Sequence, residues 1–212
     1  TIREKISKID LMKEFGIIFP RIKSGYDAAF TLQGKSTFKL PKKKNTVRIG
    51  LSIHPSFHKD WYLRHMVRES LLDIAKKHKV EVLVLPHLLS NNDSEYDLGF
   101  MKKCLQNMPK HIKVIMPDYQ QLKKGNTHIA YTIKYLTTMI DILITTRYHG
   151  TIFALSSQIP CIVLYSGEYY KRKQEKALEF IEGVDAKNYY LIDLENKKAA
   201  QHISNYLTKI LR

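Results

Sequence analysis

Cysteine is scarce in this 212-residue sequence: only Cys104 and Cys161 occur, far apart in the chain. That excludes a thiolate-ligated zinc module and a disulfide framework, and it predicts a reducing compartment. Long apolar runs are missing too. The longest, such as 82–86 and 159–165, fall far below the roughly 18 residues that a membrane-spanning helix needs. Residues 1–17 are charged throughout and hold no apolar signal core. These absences predict a soluble, cytoplasmic chain. No G-x-G-x-x-G follows a strand-like segment, and neither G-x-x-x-x-G-K-S/T nor G-x-S-x-G occurs. A standard dinucleotide fingerprint, a phosphate loop and a serine-hydrolase elbow are thereby excluded.

Acidic residues are few as well. Asp and Glu number 20 against 35 Lys and Arg, for a net charge of +15 and an isoelectric point near 9.6. Such a balance points to an anionic partner: nucleic acid, an anionic membrane surface or a phosphorylated small molecule. A solvated lysine-rich surface accounts for it equally. Clustered aromatics and a recognition helix are lacking, so nucleic acid is not the expected partner.

Six short segments are strand-like: 47–53, 80–85, 112–116, 142–145, 161–165 and 189–192. They are rich in Val, Ile, Leu and Tyr and nearly continuously apolar, as strands buried on both faces of a parallel sheet are. Helical patterns fill the gaps at 61–78, 95–108, 129–140, 173–181 and 198–211, with a short small-residue helix at 150–157. This alternation predicts an α/β fold, a Rossmann-like doubly wound parallel sheet of about six strands, over 47–212. Residues 1–46 do not fit the repeat. A helix is expected over 2–15, irregular chain over 24–33 and a basic connector over 41–45. The block reads as a connector helix and linker at the junction to a further domain.

In an open α/β sheet, ligands bind beyond the carboxyl ends of the strands. His54, Ser56 and His58 follow the first strand, Pro86 and His87 the second, and Asp118 the third. Thr146, Arg147, Tyr148, His149 and Gly150 follow the fourth. Tyr165, Ser166 and Gly167 follow the fifth, with Lys171, Arg172 and Lys173 after them. Imidazoles, a guanidinium and ammonium groups thus converge on one edge, a set suited to anion binding and proton transfer. Arg147 and His149 stand where the 150–157 helix begins, and unpaired N–H groups there favour an anion. The helix dipole contributes about 0.3–1 kcal/mol, whereas a charge-assisted hydrogen bond from arginine contributes roughly 1.5–3 kcal/mol. Arg147 therefore dominates, and its planar fork suits a carboxylate or phosphate. The plain structural alternative pairs Arg147 with an acid at another strand end, such as Asp118. Tyr165 is equally a core residue, and 171–173 equally a solvated face. His54 and His58 have metal-pair spacing, but Pro55 intervenes and no third ligand is placed, so no metal is expected.

These residues resemble a known family. Asp141-Ile-Leu-Ile-Thr-Thr-Arg147-Tyr-His149-Gly-Thr-Ile-Phe-Ala154-Leu, followed by Ile159-Pro160 and Tyr165, is similar to the signature of the polysaccharide pyruvyl transferases. Val84-Leu85-Pro86-His87 with Asn92-Asp93 resembles that family's Pro-His loop and its acidic follower. Arg3-Glu4, Ser7, Leu11, Gly16-Ile17, Asp27-Ala-Ala-Phe30 and Leu32 resemble the segment joining the family's two halves, with Ala28 in place of the usual proline. The resemblance implies the C-terminal half plus connector of a two-domain, GT-B-like fold, partnered by an N-terminal domain.

It further implies transfer of a pyruvyl group from phosphoenolpyruvate to two saccharide hydroxyls, with no cofactor beyond that donor. Exopolysaccharide, capsule or cell-wall polymer synthesis is the implied setting. The implied catalytic residues are His149, Arg147 and His87: His149 as general acid, Arg147 as one cationic clamp, His87 as phosphate ligand or hydroxyl-proton shuttle. Arg3 is the implied second clamp. Tyr148, Gly150, His54, Tyr165 and Lys171 complete the implied substrate site, with Lys173 as a rival to Lys171. A lipid-linked acceptor at the inner face of the cytoplasmic membrane would match the basic surface. The alternative is the nucleotide-sugar-binding domain of a GT-B glycosyltransferase, weakened because Glu168 and Glu175 are seven residues apart where eight is usual.

Overall fold

The computed structural model describes residues 27–43, 45–55, 60–89, 96–124, 128–179 and 188–211. The expected helix at 2–15, Arg3, Ser56, His58, Asn92 and Asp93 lie outside them.

Six parallel strands form one sheet: β1 (Val47–Ser52), β2 (Val80–Val84), β3 (Ile112–Ile115), β4 (Ile142–Thr145), β5 (Cys161–Tyr165) and β6 (Tyr189–Asp193). Their spatial order is β3-β2-β1-β4-β5-β6. The chain runs outward from β1 to β3, then returns to the far side of β1 and runs outward again. The strand order therefore reverses between β1 and β4, which opens a crevice at their carboxyl ends. Every residue of β2 and β4 is buried, as continuous apolar runs require in a sheet covered on both faces. The outermost strands differ. β3 exposes Lys113, and β6 leaves Tyr190 and Leu191 only partly covered. Fully buried Ile49, Leu51, Val82, Leu83, Ile144 and Ile162 form the centre of the core. Each such side chain stabilises the fold by roughly 1.5–3 kcal/mol.

The helices are α1 (Asp60–Ala75), α2 (Asp97–Leu105), α3 (Tyr119–Lys124), α4 (Ile129–Thr137), α5 (Tyr148–Ser156), α6 (Glu168–Glu179) and α7 (Ala199–Ile210). α1 packs on α2 and α7, while α5 packs on α4 and α6. The short α3 is absent from the sequence expectation. Its six residues are too few to show a helical period, and its first turn is held by the Asp118 carboxylate accepting from the Gln121 N–H at 3.0 Å. Helix α6 starts five residues earlier than expected. Glu168 pairs with Lys171 and Arg172, three and four residues on, so this charged run is helix rather than loop. No helix among the described residues is long and apolar enough to cross a membrane.

Residues 27–43 form a strap across α4 and α5. Asp27 caps a 3-10 turn (Ala28–Thr31) that packs on α5. The Lys35 N–H donates to the Tyr131 carbonyl at 3.0 Å. Gly34 makes this approach sterically permissible, because a Cβ there would lie 2.4 Å from the Tyr135 backbone nitrogen. At the other end the buried Arg48 guanidinium donates to the Pro41 carbonyl at 2.8 Å and pairs with Glu81 at 2.7 Å. Lys43 pairs with Asp141, whose other oxygen accepts from the Arg48 N–H.

Candidate functional site

The site lies at the crevice. Thr145 ends β4, and its hydroxyl donates to the Ser52 carbonyl of β1 at 2.9 Å while accepting from the Arg147 N–H at 2.8 Å. The Thr146 hydroxyl accepts from the His54 N–H at 2.8 Å. These bonds set the two strand ends in fixed register, and α5 begins one residue beyond Arg147, which stands at its N-cap in extended conformation without a side-chain capping bond. Only glycine fits at position 150: a Cβ there would lie 2.6 Å from Thr145 Oγ1 and 3.4 Å from His87 Nε2.

A cavity of about 450 Å³ opens here, bordered by His54, His87, Arg147, Tyr148, His149 and Lys173. The structure thus brings together side chains from the ends of β1, β2 and β4 and from α6. Gln174 explains how α6 reaches in: buried, it accepts from the Thr151 hydroxyl at 2.8 Å and donates to the Thr146 carbonyl at 3.4 Å. It thereby seats Lys173, whose ammonium lies 5.4 Å from the Tyr148 ring centre.

The charges at the site are not equivalent. Arg147 is about a quarter exposed, and its Nε donates to Asp97 at 3.0 Å while Nη2 pairs with the other oxygen of that carboxylate. Asp97 is the first residue of α2, is fully buried and also accepts from the His87 and Leu88 N–H groups at 3.0 and 3.1 Å. Asp118, the acid considered from sequence, is instead occupied with the start of α3. Arg147 keeps Nη1 and one Nη2 hydrogen for a ligand.

Burial pushes the His87 imidazole down to about 3, with the positive charges of Arg147 and His149 adding to the effect. His87 is therefore neutral and supplies a hydrogen bond, not a cationic clamp. His54 is also held below its ordinary value, first by burial and then by Arg147. His149 is half exposed, its Nε2 3.9 Å from the Asp27 carboxylate of the strap.

Tyr165 and Lys171 are not among the residues bordering the cavity. Burial and then Asp193 raise the Tyr165 phenol, and Lys171 pairs with Glu168 at 3.6 Å. Of the two candidate lysines, Lys173 borders the cavity. Asp97 and Gln174 escaped sequence reasoning, because both act through contacts across the fold rather than through a local motif. Among the described residues no group of three or more His, Cys, Asp or Glu is arranged to hold a metal ion. Chemically, the cavity offers a guanidinium, an ammonium, one exposed and two half-buried imidazoles, and the N-terminus of α5. Such a set is chemically suited to binding a small anion and to moving protons beside it.

Comparison with known proteins adds to this picture. The family model for polysaccharide pyruvyl transferase matches residues 1–168. No curated protein matches the chain. Among solved structures, the UDP-GlcNAc 2-epimerase of Methanocaldococcus jannaschii in complex with UDP-GlcNAc and UDP superposes with a TM-score of 0.55 at 14% identity, covering 99% of this chain and 53% of that one. The Neisseria meningitidis UDP-GlcNAc 2-epimerase gives 0.46 at 15% identity, covering 98% and 40%. E. coli heptosyltransferase WaaC gives 0.49 at 12% identity, covering 93% and 52%. The likeness to the archaeal epimerase is one of fold. The chain spans about half the length of these structures or less.

Proposed function

The chain belongs to the polysaccharide pyruvyl transferase family, and from that premise we propose that it takes part in transferring pyruvyl from phosphoenolpyruvate to a pair of saccharide hydroxyls. The product is a cyclic ketal, made during synthesis of an exopolysaccharide, capsule or cell-wall polymer. The observation that supports this reading is the facing of Arg147 and His149 onto one cavity, with neutral His87 beside them.

Phosphoenolpyruvate carries a carboxylate and a phosphate on a three-carbon frame. The free Arg147 donors, Lys173 and the first N–H groups of α5 bind those oxygens. His149 delivers a proton to the methylene carbon, which becomes the methyl group. Positive charge then develops at the central carbon. One acceptor hydroxyl attacks that carbon, the second displaces phosphate, and the two hydroxyl protons leave to base and phosphate. His87 accepts the attacking hydroxyl's proton. A bound trianion offsets the positive charges of Arg147 and His149, which add to the larger effect of burial in depressing this imidazole. The lysine excess would draw a lipid-linked, pyrophosphate-bearing acceptor at the inner membrane face. Co-sedimentation with vesicles tests that part, and equal recovery with and without anionic lipid counts against it.

The test of the reaction uses the complete protein. Phosphoenolpyruvate should raise the melting temperature more than a nucleoside diphosphate sugar does. Ketal formation and phosphate release should disappear in Arg147→Ala and His149→Ala. A larger shift with the nucleotide sugar would favour a glycosyltransferase, and unchanged turnover in either variant would remove the site.

A further inference from the structure

We propose that Asp97 is the positioning residue of this site: one buried carboxylate sets both the Arg147 guanidinium and the His87 loop at their places in the crevice. Four donors converge on it, Nε and Nη2 of Arg147 and the backbone N–H groups of His87 and Leu88. The carboxylate is fully buried. Arg147 follows β4, and His87 follows β2. Those two strands are not neighbours, because β1 lies between them. Asp97, from the first turn of α2, is therefore a bridge over the end of the central strand, and it fixes the width of the crevice at the topological switch.

The bridge also determines what Arg147 shows to a ligand. Side-on pairing through Nε and Nη2 fixes the guanidinium plane and turns the Nη1 edge away from the carboxylate. The same carboxylate offsets the guanidinium charge, so Arg147 acts on a bound anion through directed hydrogen bonds more than through net charge. Of the ammonium and guanidinium groups bordering the cavity, Lys173 is the one that Asp97 does not pair. This assignment rests on the pyruvyl-transfer reading only for the reaction that the kinetic test measures.

Asp97→Asn, Asp97→Glu, Arg147→Lys and the double variant Asp97→Asn/Arg147→Lys are compared with the complete unsubstituted protein. Misplacing a reacting group by about 1 Å costs on the order of 100-fold, so kcat for ketal formation should fall ~100-fold in Asp97→Asn. KM for phosphoenolpyruvate should move much less. Asp97→Glu, which keeps the charge, should recover part of the loss. In the Arg147→Lys background the same Asp97→Asn change should cost under ~3-fold, because residues acting through one another are non-additive. A variant that melts earlier but keeps kcat would make Asp97 merely structural and overturn the proposal, as would additive losses. Should Asp97→Asn not fold, exchange of arginine Nε–H protons in the unsubstituted protein decides. The Nε–H that Arg147→Lys removes should exchange slowly, as should that of Arg48, which is held by Glu81. Fast exchange of the Arg147 proton would overturn the bridge. That measurement uses no substrate, so it stands even if the unsubstituted protein makes no ketal, a result that would sink only the pyruvyl-transfer reading.

Discussion

Gly150 stands so close to Thr145 that a Cβ on it would lie 2.6 Å from the threonine hydroxyl oxygen. That hydroxyl ties the end of β4 to Ser52 of β1 and accepts the Arg147 N–H. An added methyl cannot be absorbed by a flexible side-chain tip, because Thr145 is fully buried and bonded on both sides. Gly150→Ala should therefore destabilise the fold by about 1–3 kcal/mol, the usual cost of overpacking. It should also weaken phosphoenolpyruvate binding by displacing Arg147. Urea unfolding and calorimetric titration read the two effects, and an unchanged urea midpoint would contradict the packing argument.

His87 makes a prediction about acid. Its imidazole is held at about 3 against an ordinary 6.5, by burial first and then by Arg147 and His149. Between those values the unfolded chain binds a proton that the folded chain refuses, so this group makes stability rise with pH. The native state should thus lose up to about 1.4 kcal/mol per pH unit on this account as the pH falls from 6.5. Above 6.5 the effect is absent. His87→Gln should flatten the acid limb of stability against pH, leaving the limb above 7 parallel to that of the unsubstituted protein. Parallel acid limbs for the two proteins would show that His87 titrates normally.

The two lysines after β5 separate by position. Lys173 borders the cavity, whereas Lys171 pairs with Glu168 on the surface of α6. A charged hydrogen bond is worth roughly 1.5–3 kcal/mol, so Lys173→Met should raise KM for phosphoenolpyruvate at least ~10-fold. Lys171→Met should leave it within about two-fold, since an exposed pair contributes little. The reverse order of effects would move the site along the helix.

What could be read from sequence, and what could not, divides along physical lines. The strands were legible because a parallel sheet buried on both faces needs unbroken apolar runs, and β4 and β5 coincide with theirs residue for residue. Arg147 and His149 were legible because a basic pair where a helix starts is locally unfavourable and asks for an anion. The partner of Arg147 was not. Asp118 and Asp97 each sit near the end of a strand-to-helix connection, and only the strand order decides which one meets β4. The start of α6 was hidden because Glu168–Arg172 pairing emerges only once the segment is wound. His87 read as a phosphate ligand or a hydroxyl-proton shuttle, and its low proton affinity was hidden because burial and the charges of Arg147 and His149 arise only in the fold.

At the opposite edge of the sheet, the Arg48–Glu81 pair fastens the strap to the core. Burial would raise the Glu81 carboxyl, but hydrogen bonds from Arg48 and Lys113 outweigh it and hold the group below its ordinary 4.5. A carboxylate depressed in this way contributes stability above 4.5, and the contribution is lost as the pH falls through the lower folded value. Removing Arg48 leaves the buried Glu81 paired only with the exposed Lys113 at 3.1 Å, so Arg48→Met should cost about 1–3 kcal/mol. Removing both removes that penalty. Arg48→Met/Glu81→Met should therefore be more stable than Arg48→Met alone, even though Pro41 loses the guanidinium that holds it. The double variant should also lack the acid-dependent loss that Glu81 causes. Urea midpoints between pH 3 and 7 for the three proteins test this, and a double variant weaker than the single one would mean that the pair stabilises the fold in its own right. Amide exchange along 27–43 supplies the structural counterpart: exchange at the strap should quicken in both variants, because the anchor to Pro41 is gone in each.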